Sequence, residues 1–302
     1  MYQFLWIFFI YAFLGWCTEV SYAALMTGRF VNRGFLNGPV CPIYGFGVVI
    51  VMACLEPLRD NLLILFLGSI LLTSLLEWVT GFVLEKIFHQ RWWDYSKEPF
   101  NLGGYICLRF SIGWGLACVF VSEILHPTVL LLIRLIPRPV GWVLLGVFGA
   151  AMAVDLVATV STITKLNRRL SQIDELASRI KDASNEFGEN LADRVLDAAE
   201  KGSDLRENLG DWMDELAQRR EELGADLEEN LDDWKENLAQ RQQIVQQELT
   251  EWKEKLQELM DKEGYGQRRL LRAFPRMRST SHRQALERLR RYMERRKREE
   301  DQ

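Results

Sequence analysis

The fold of this chain is decided by the stretch FLWIFFIYAFLGWCTEVSYAAL, residues 4–25, in which Glu19 is the one charged side chain. A helix of about 20 apolar residues crosses the hydrocarbon core of a bilayer. The stretch has no basic residues ahead of it, is longer than the apolar part of a signal peptide and contains a glutamate. We therefore predict a membrane-spanning helix that is not cleaved off as a signal.

Apolar runs of similar length occur at 62–84, 105–125 and 140–163, and a shorter one occurs at 43–55. The shorter run reaches a spanning length only if the residues before it, including a proline, are added. Because a backbone in lipid must satisfy its own hydrogen bonds, we expect helix in every run. The sequence thus predicts an all-α, polytopic membrane domain of about five transmembrane helices.

The net charge of -4 over 302 residues hides three segments of opposite character. Residues 1–164 carry nine basic and nine acidic side chains, 165–263 carry 15 and 27, and 264–302 carry 13 and 5. This distribution excludes both a single soluble globule and a disordered chain. We predict three domains with these bounds: a helical transmembrane domain, an acidic cytoplasmic helix and a basic C-terminal tail.

Lysine and arginine in the short loops predict the orientation, because they collect on the cytoplasmic side. Eight of them follow the first, third and fifth runs: Arg29, Arg33, Lys86, Arg91, Lys97, Lys165, Arg168 and Arg169. Three lie in the other two loops: Arg59, Arg134 and Arg138. We predict a multi-pass protein of the cell membrane with its N-terminus outside and its tail in the cytoplasm.

Glu19, Glu77, Arg109 and Asp155 are charged residues that lie well inside the apolar runs. At about 1.5 Å per residue, all four fall roughly 6–12 Å below the cytoplasmic edge of the hydrocarbon core. Charges at this depth are costly and mark functional sites. We predict a polar site open to the cytoplasm, with three carboxylates around one guanidinium. The alternative is that Arg109 pairs with one acid to join two helices.

The glycine-rich loops after the first and third runs are predicted to line this site. Non-helical backbone at membrane depth must line a cavity or be buried in protein. The candidate loop residues are Asn32, Arg33, Asn37, Trp93, Tyr95 and Asn101, and Asp94 is predicted to belong to the polar site itself. The aromatic residues among them also fit an interfacial belt, and both interpretations stay open.

The two loops resemble each other. LNGPVC at 36–41 aligns with LGGYIC at 102–107, and a Gly-aromatic-Gly follows each. A helix carrying a glutamate precedes each loop. This pattern indicates parallel two-helix repeats with a site between them, and chance similarity between glycine-rich loops is the alternative.

Four motifs resemble the CmpB-like bacterial membrane proteins, a family labelled type IV ABC-transporter permeases. They are GWCTEV (15–20), NRGFLNGPVCPIYG (32–45), WDYS (93–96) and GYICL (104–108), and the resemblance covers roughly residues 1–200. It implies a multi-spanning protein partnered by a separate ATPase. The chain itself has no GxxxxGK[ST] phosphate loop, so ATP hydrolysis would belong to another chain.

The acidic segment has an apolar stripe that repeats after 22 residues. Leu205, Leu209, Trp212, Leu216 and Leu223 are matched by Leu227, Leu231, Trp234, Leu238 and Val245. This period of about 3.67 residues per turn predicts a long amphipathic, coiled-coil-like helix. We expect residues 205–256 to bind another copy of the chain or a partner helix, and a solvated helix without a partner is the alternative.

The arginine-rich segment 264–302 has four interpretations: binding of anionic lipid head groups, of nucleic acid, or of the acidic helix, or a tail that only keeps the protein soluble. Interspersed glutamates argue against nucleic acid.

Transport is the function that the sequence favours: a permease-like component with a cytoplasm-facing polar site. The first alternative is a membrane-anchored scaffold that acts through its cytoplasmic helix. The second is an intramembrane enzyme on a lipid or anionic substrate, with Glu19, Glu77 and Asp94 as acids or bases. The three histidines are isolated and no CxxC occurs, so we predict no catalytic nucleophile, metal or cofactor.

Overall fold

The computed structural model describes residues 1–55, 57, 60–207, 240, 243–262 and 264–300. At 186–207, 297 and 300 it describes the backbone alone. Most of the described residues are helical. The helices are α1 (Tyr2–Thr27), α2 (Pro42–Leu55), α3 (Leu62–Phe88), α4 (Leu108–Phe120), α5 (His126–Leu135), α6 (Arg138–Glu207), α7 (243–261), α8 (Tyr265–Ala273) and α9 (Arg283–Glu300). The strands are β1 (Gln90–Arg91), β2 (Asn101–Leu102), β3 (Ile106–Cys107) and β4 (Arg278–Ser279). The predicted all-α class is confirmed.

Four helices are long and apolar enough to cross a membrane: α1, α3, the continuous stretch Leu108–Leu135 and the first part of α6. The second predicted span is the shorter helix α2, which has 14 residues. At 1.5 Å per residue α2 is about 21 Å long, short of the roughly 30 Å of a hydrocarbon core.

The helices α1 and α3 end on the same side of the membrane domain. We name the segment 28–41 loop A and the segment 89–107 loop B. The ring of Phe35 in loop A lies 6.1 Å from that of Phe88 and 5.2 Å from that of Trp92 in loop B. This shared side is called the loop side below. The segment between α1 and α3, which contains α2, therefore has to cross back to the other side of the membrane domain.

Loop A makes up the length that α2 lacks. The backbone N–H of Cys41, the last residue of loop A, donates to the carbonyl of Ala12 at 2.9 Å. Ala12 lies 15 residues before the end of α1, which is about 22 Å. Loop A therefore runs along half of α1, and α2 packs on the other half. A side chain at Gly45 would meet the Phe8 carbonyl 2.5 Å from its Cβ, so only glycine permits this approach.

The fourth span is longer than predicted. The sequence pattern predicts its end at residue 125, but a π-helical turn at Val121–Leu125 leads directly into α5. Pro127 lacks an N–H, and the π-helical turn just before it accommodates the lost bond. The helix continues because Val129 and Ile133 pack in the core around Trp6. The loop predicted between the runs 105–125 and 140–163 is therefore too long, because only two residues separate α5 from α6.

The described structure divides into two compact units. One comprises Met1–Leu170 together with Glu263–Gln302, and the other comprises Ser171–Lys262. The 70-residue helix α6 continues through the predicted domain boundary at 164. Most of the predicted apolar stripe at 205–256 lies outside the described residues.

The C-terminal segment, here residues 264–300, belongs to the same unit as the membrane helices. Its strand β4 pairs antiparallel with β1, with Gln90 opposite Ser279. It also has almost inaccessible apolar side chains: Leu270, Leu271, Met277, Leu286 and Leu289. The basic tail predicted from the sequence is thus a folded part of the loop side.

Candidate polar site on the loop side

Glu19 of α1 is held by a tyrosine and an arginine. The Tyr44 hydroxyl at the start of α2 donates to one carboxylate oxygen at 2.6 Å. The Nε of Arg33 in loop A lies 3.6 Å from the other oxygen. The Arg33 guanidinium also lies 5.4 Å from the centre of the Tyr22 ring. Loop A therefore supplies a cation to a carboxylate inside the membrane domain, as such a charge requires.

Glu77 of α3 has a tyrosine but no such cation. It is 8% exposed, and the Tyr95 hydroxyl of loop B donates to its Oε1 at 3.3 Å. Its Oε2 is buried and has no hydrogen-bond partner. Within the described part of the chain, no Lys, Arg or His nitrogen lies within 4 Å of this carboxylate.

Tyr95 connects the two glutamates electrostatically. Burial, and then the Glu77 carboxylate, raise the pKa of Tyr95, and Glu19 acts in the same direction. The Tyr95 ring also stacks on Phe110 at 4.8 Å between centroids. Glu19 and Glu77, which both act on this tyrosine, are named the glutamate pair below.

Asp155 of α6 binds loop A through several hydrogen bonds. Its carboxylate accepts the backbone N–H of Asn37 at 3.0 Å and that of Gly38 at 2.6 Å. It also accepts the Asn37 side-chain amide at 2.8 Å and the Thr159 hydroxyl at 3.3 Å. This carboxylate is thus fully engaged in holding the loop.

Loop A has internal bonds as well. The Asn32 Oδ1 accepts the indole N–H of Trp16 at 2.8 Å and the backbone N–H of Gly34 at 3.0 Å. Its Nδ2 donates to the Asn37 carbonyl at 2.7 Å. Of the predicted loop residues, Asn32 and Asn37 therefore shape the loop, and Arg33 reaches Glu19.

Arg109 is not brought together with the carboxylates. It is exposed, and its guanidinium lies 5.9 Å from the Phe110 ring centre. In the described ranges, no carboxylate oxygen lies within 4 Å of it. Ser111, two residues later, turns toward α3 and accepts a hydrogen bond from Ser74. Two residues rotate a helix by about 200°, so Arg109 faces away from α3.

Asp94 of loop B binds the C-terminal segment rather than the glutamate pair. Its carboxylate lies 2.7 Å from Arg278 and 3.7 Å from Arg91, and it accepts two bonds from Ser96. Burial opposes ionisation, but the Ser96 bonds and both arginines lower the pKa of Asp94. A side chain at Gly104, whose φ is +74°, would collide with this cluster.

The remaining predicted residues of loop B are structural in their contacts. The indole N–H of Trp93 donates to the Tyr105 carbonyl at 2.8 Å. The Asn101 side chain donates to the Glu98 carbonyl at 2.8 Å and accepts from the Gly104 N–H at 3.2 Å.

Sequence reasoning missed the cross-links that the C-terminal segment makes to both loops. The Arg269 guanidinium donates to the carbonyls of Gly34 at 2.8 Å and Phe35 at 3.1 Å. Burial lowers the pKa of Arg269. The Phe274 ring packs edge-on against Trp92 at 4.9 Å. No signal in the sequence pairs residues so far apart.

A second missed cluster ties loop B to α3. Glu85 accepts a bond from the Nε of Arg91 at 2.8 Å and one from the Tyr105 hydroxyl at 2.9 Å. The Arg91 guanidinium lies 4.6 Å from the Tyr105 ring centre. Glu85 at the end of an apolar helix, six residues before Arg91, is the sequence signal that could have found it.

The CmpB family model, described as "Putative ABC-transporter type IV", matches residues 6–160. The match contains α1 to α5, both loops and the part of α6 that carries Asp155. It is shorter than the resemblance to about residue 200 that the motifs indicate. No solved structure is significantly similar to the chain. With slightly more than half of its residues matched and four helices of spanning length, the chain is a multi-pass membrane protein that belongs to the CmpB family.

Proposed function

We propose that this chain is the permease-like component of a membrane transporter, with its substrate path on the loop side around the glutamate pair. The observation that carries the proposal is the course of loop A, which reaches Ala12 in the middle of α1. Non-helical backbone at this depth is typical of segments that line a transport path, because elsewhere lipid would leave its polar groups unsatisfied.

The parallel course of α1 and α3 supports the same function. Each helix runs toward the loop side, and a tyrosine later in the chain donates to its glutamate: Tyr44 at the start of α2 and Tyr95 in loop B. Parallel repeats with a polar site between them are one of the established plans of transporters.

The loop side is the cytoplasmic side in this proposal, because the loops and helix ends there hold most of the basic residues. A separate ATPase would then bind on this side and supply the energy. The folded C-terminal segment contacts both loops there. It would therefore transmit movement between such a subunit and the loops.

Purification of the full chain from its native membrane in mild detergent tests the partner. We expect a co-purifying subunit that has a phosphate-binding loop and hydrolyses ATP. Reconstituted with it, Glu77→Gln and Glu19→Gln should lower the stimulated ATPase rate at least about tenfold, or about 1.4 kcal/mol. The control is Ser21→Ala, on an exposed position of α1, which should keep the rate.

Two outcomes would contradict the proposal. One is the absence of any ATPase together with full function of both glutamine variants in the native organism. The other is loss of function only when residues 171–262 are replaced, which would favour the scaffold interpretation.

A further inference from the structure

We propose that Glu77 is a proton-binding site, which carries a proton in the state described here and releases it to water that enters from the loop side. The inference deepens the proposed function and rests on it for the role of the proton in transport. The presence of the proton itself is a separate, directly measurable property of this chain.

The geometry leaves the Glu77 carboxyl poorly solvated. An ionised carboxylate has about four acceptor sites. Here one oxygen accepts a single long bond of 3.3 Å from Tyr95, and the other is buried without any partner. Burial of a charge is unfavourable unless it is paired and hydrogen-bonded, and a carboxyl in such a place takes up a proton instead.

The groups around Glu77 supply little to stabilise a negative charge. Tyr95 of loop B faces it and donates one long hydrogen bond of 3.3 Å. Glu19 of α1 and Cys107 before α4, both acids, act electrostatically on Tyr95. The described residues place no cation within 4 Å of Glu77, so the Tyr95 bond is the one contact there that favours its ionised form.

Glu19 is the internal comparison. It has the Arg33 cation at 3.6 Å and a short bond from Tyr44 at 2.6 Å. Both contacts stabilise a carboxylate anion. In the glutamate pair, Glu19 thus has a cation beside it, whereas Glu77 has none among the described residues.

A proton fits this place better than a metal ion. Hard cations take several oxygen ligands, typically six or more. Glu77 has only the Tyr95 hydroxyl beside it, and within the described residues no group of three His, Cys, Asp or Glu side chains could hold a metal.

The chemical step is a simple dissociation. The O–H bond at Glu77 breaks, the electron pair stays on the carboxylate, and the proton passes to water that enters from the loop side. The resulting negative charge needs a cationic substrate, a movement of Arg33 or a returning proton to compensate it.

Infrared spectroscopy of the full chain in liposomes at pH 7 tests the inference. We expect a carboxylic-acid C=O band in the wild type and in Glu19→Gln, its loss in Glu77→Gln, and its shift in Tyr95→Phe, which removes the one donor. Exchange into ²H₂O should lower its frequency, and replacement of Na⁺ by choline should leave it unchanged.

Absence of the band from the wild type, or its persistence in Glu77→Gln, would overturn the inference while leaving the search for an ATPase untouched. A band that depends on Na⁺ would also overturn it, in favour of a cation site. Conversely, a band that behaves as expected in a chain without an ATPase partner would keep the inference and remove the proposed function.

Discussion

The two halves of the membrane domain, α1–loop A–α2 and α3–loop B–α4, each hold a glutamate against a tyrosine hydroxyl, yet they differ in what surrounds the carboxylate. In the first half Arg33 lies beside Glu19, whereas in the second half Glu77 has no cation. The loops are also fastened differently. Loop A is bound by Asp155 and by Arg269, whereas loop B pairs with strand β4 and binds Arg278. The first half thus holds its carboxylate beside a cation, whereas the second half leaves its carboxyl able to bind and release a proton.

Removal of residues 263–302 should have the largest effect and should fall mainly on loop B. Loop B would lose its paired strand, the Phe274 contact and Arg278. Loop A would lose the two Arg269 bonds but keep its bonds to Asp155. We expect the free energy of unfolding to fall by at least about 3 kcal/mol, because several buried leucines are lost. Hydrogen exchange should rise at residues 90 and 91 more than at 37 and 38.

The matched control for the truncation replaces 171–262 by a short flexible linker. Arg169 and Gln267 are in direct contact at 2.7 Å, so such a linker can join the two ends. The membrane unit should then keep its exchange pattern. Equal loss of protection in both loops after truncation would break the comparison.

Asp155→Ala should have the second largest effect and should fall on loop A alone. Two backbone N–H groups and the Asn37 amide would lose a charged acceptor, at a cost of about 2–4 kcal/mol. Thermal unfolding in detergent measures the loss, and Asp155→Asn, which keeps one acceptor oxygen, should lose less. A drop in stability that is equal for the two variants would contradict this account.

The glutamate pair should respond unequally to the same substitution. Glu19→Gln leaves the partly exposed Arg33 without its partner and should destabilise by about 0.5–1.5 kcal/mol. Glu77→Gln replaces a neutral acid by an amide of the same shape and should change stability by less than about 0.5 kcal/mol. A double-mutant cycle with Arg33→Gln should show coupling to Glu19 and none to Glu77.

Acidification should have the smallest effect at ordinary pH. The pKa of Asp94 is lowered in the folded chain, so its contribution is complete above the unfolded value of about 3.9 and is lost as the pH falls through the lower folded value. Limited proteolysis of the C-terminal segment should thus be constant from pH 5 to 8 and increase below about pH 4. Asp94→Asn should remove this pH dependence, and a transition near pH 6 would contradict it.

The sequence predicts well what depends on periodicity. Long apolar runs specify α1, α3 and α6, whereas the common level that counting along them gives for Glu19 and Glu77 stays a prediction. Prediction from the sequence fails where a contact depends on the face of a helix that carries a residue, or on a partner that is distant in the sequence. Arg109 is exposed and has no carboxylate oxygen within 4 Å among the described residues, and Arg269 and Arg278 bind the loops from a distant part of the chain. The fourth span also continues past residue 125, where the predicted run ends, because a π-helical turn leads into α5 just before Pro127.

The pairing of β4 with β1 also sets the order in which this protein can be completed during synthesis. The hydroxyl and N–H of Thr280 bond to the carbonyl of His89, 191 positions earlier. At 5–20 residues per second, loop B waits roughly 10–40 s for its partner after it leaves the ribosome. During that interval the inserted helices carry an open strand edge and an uncovered Trp92. A nascent chain stalled before residue 264 is therefore expected to be recognised by membrane quality control as unfinished.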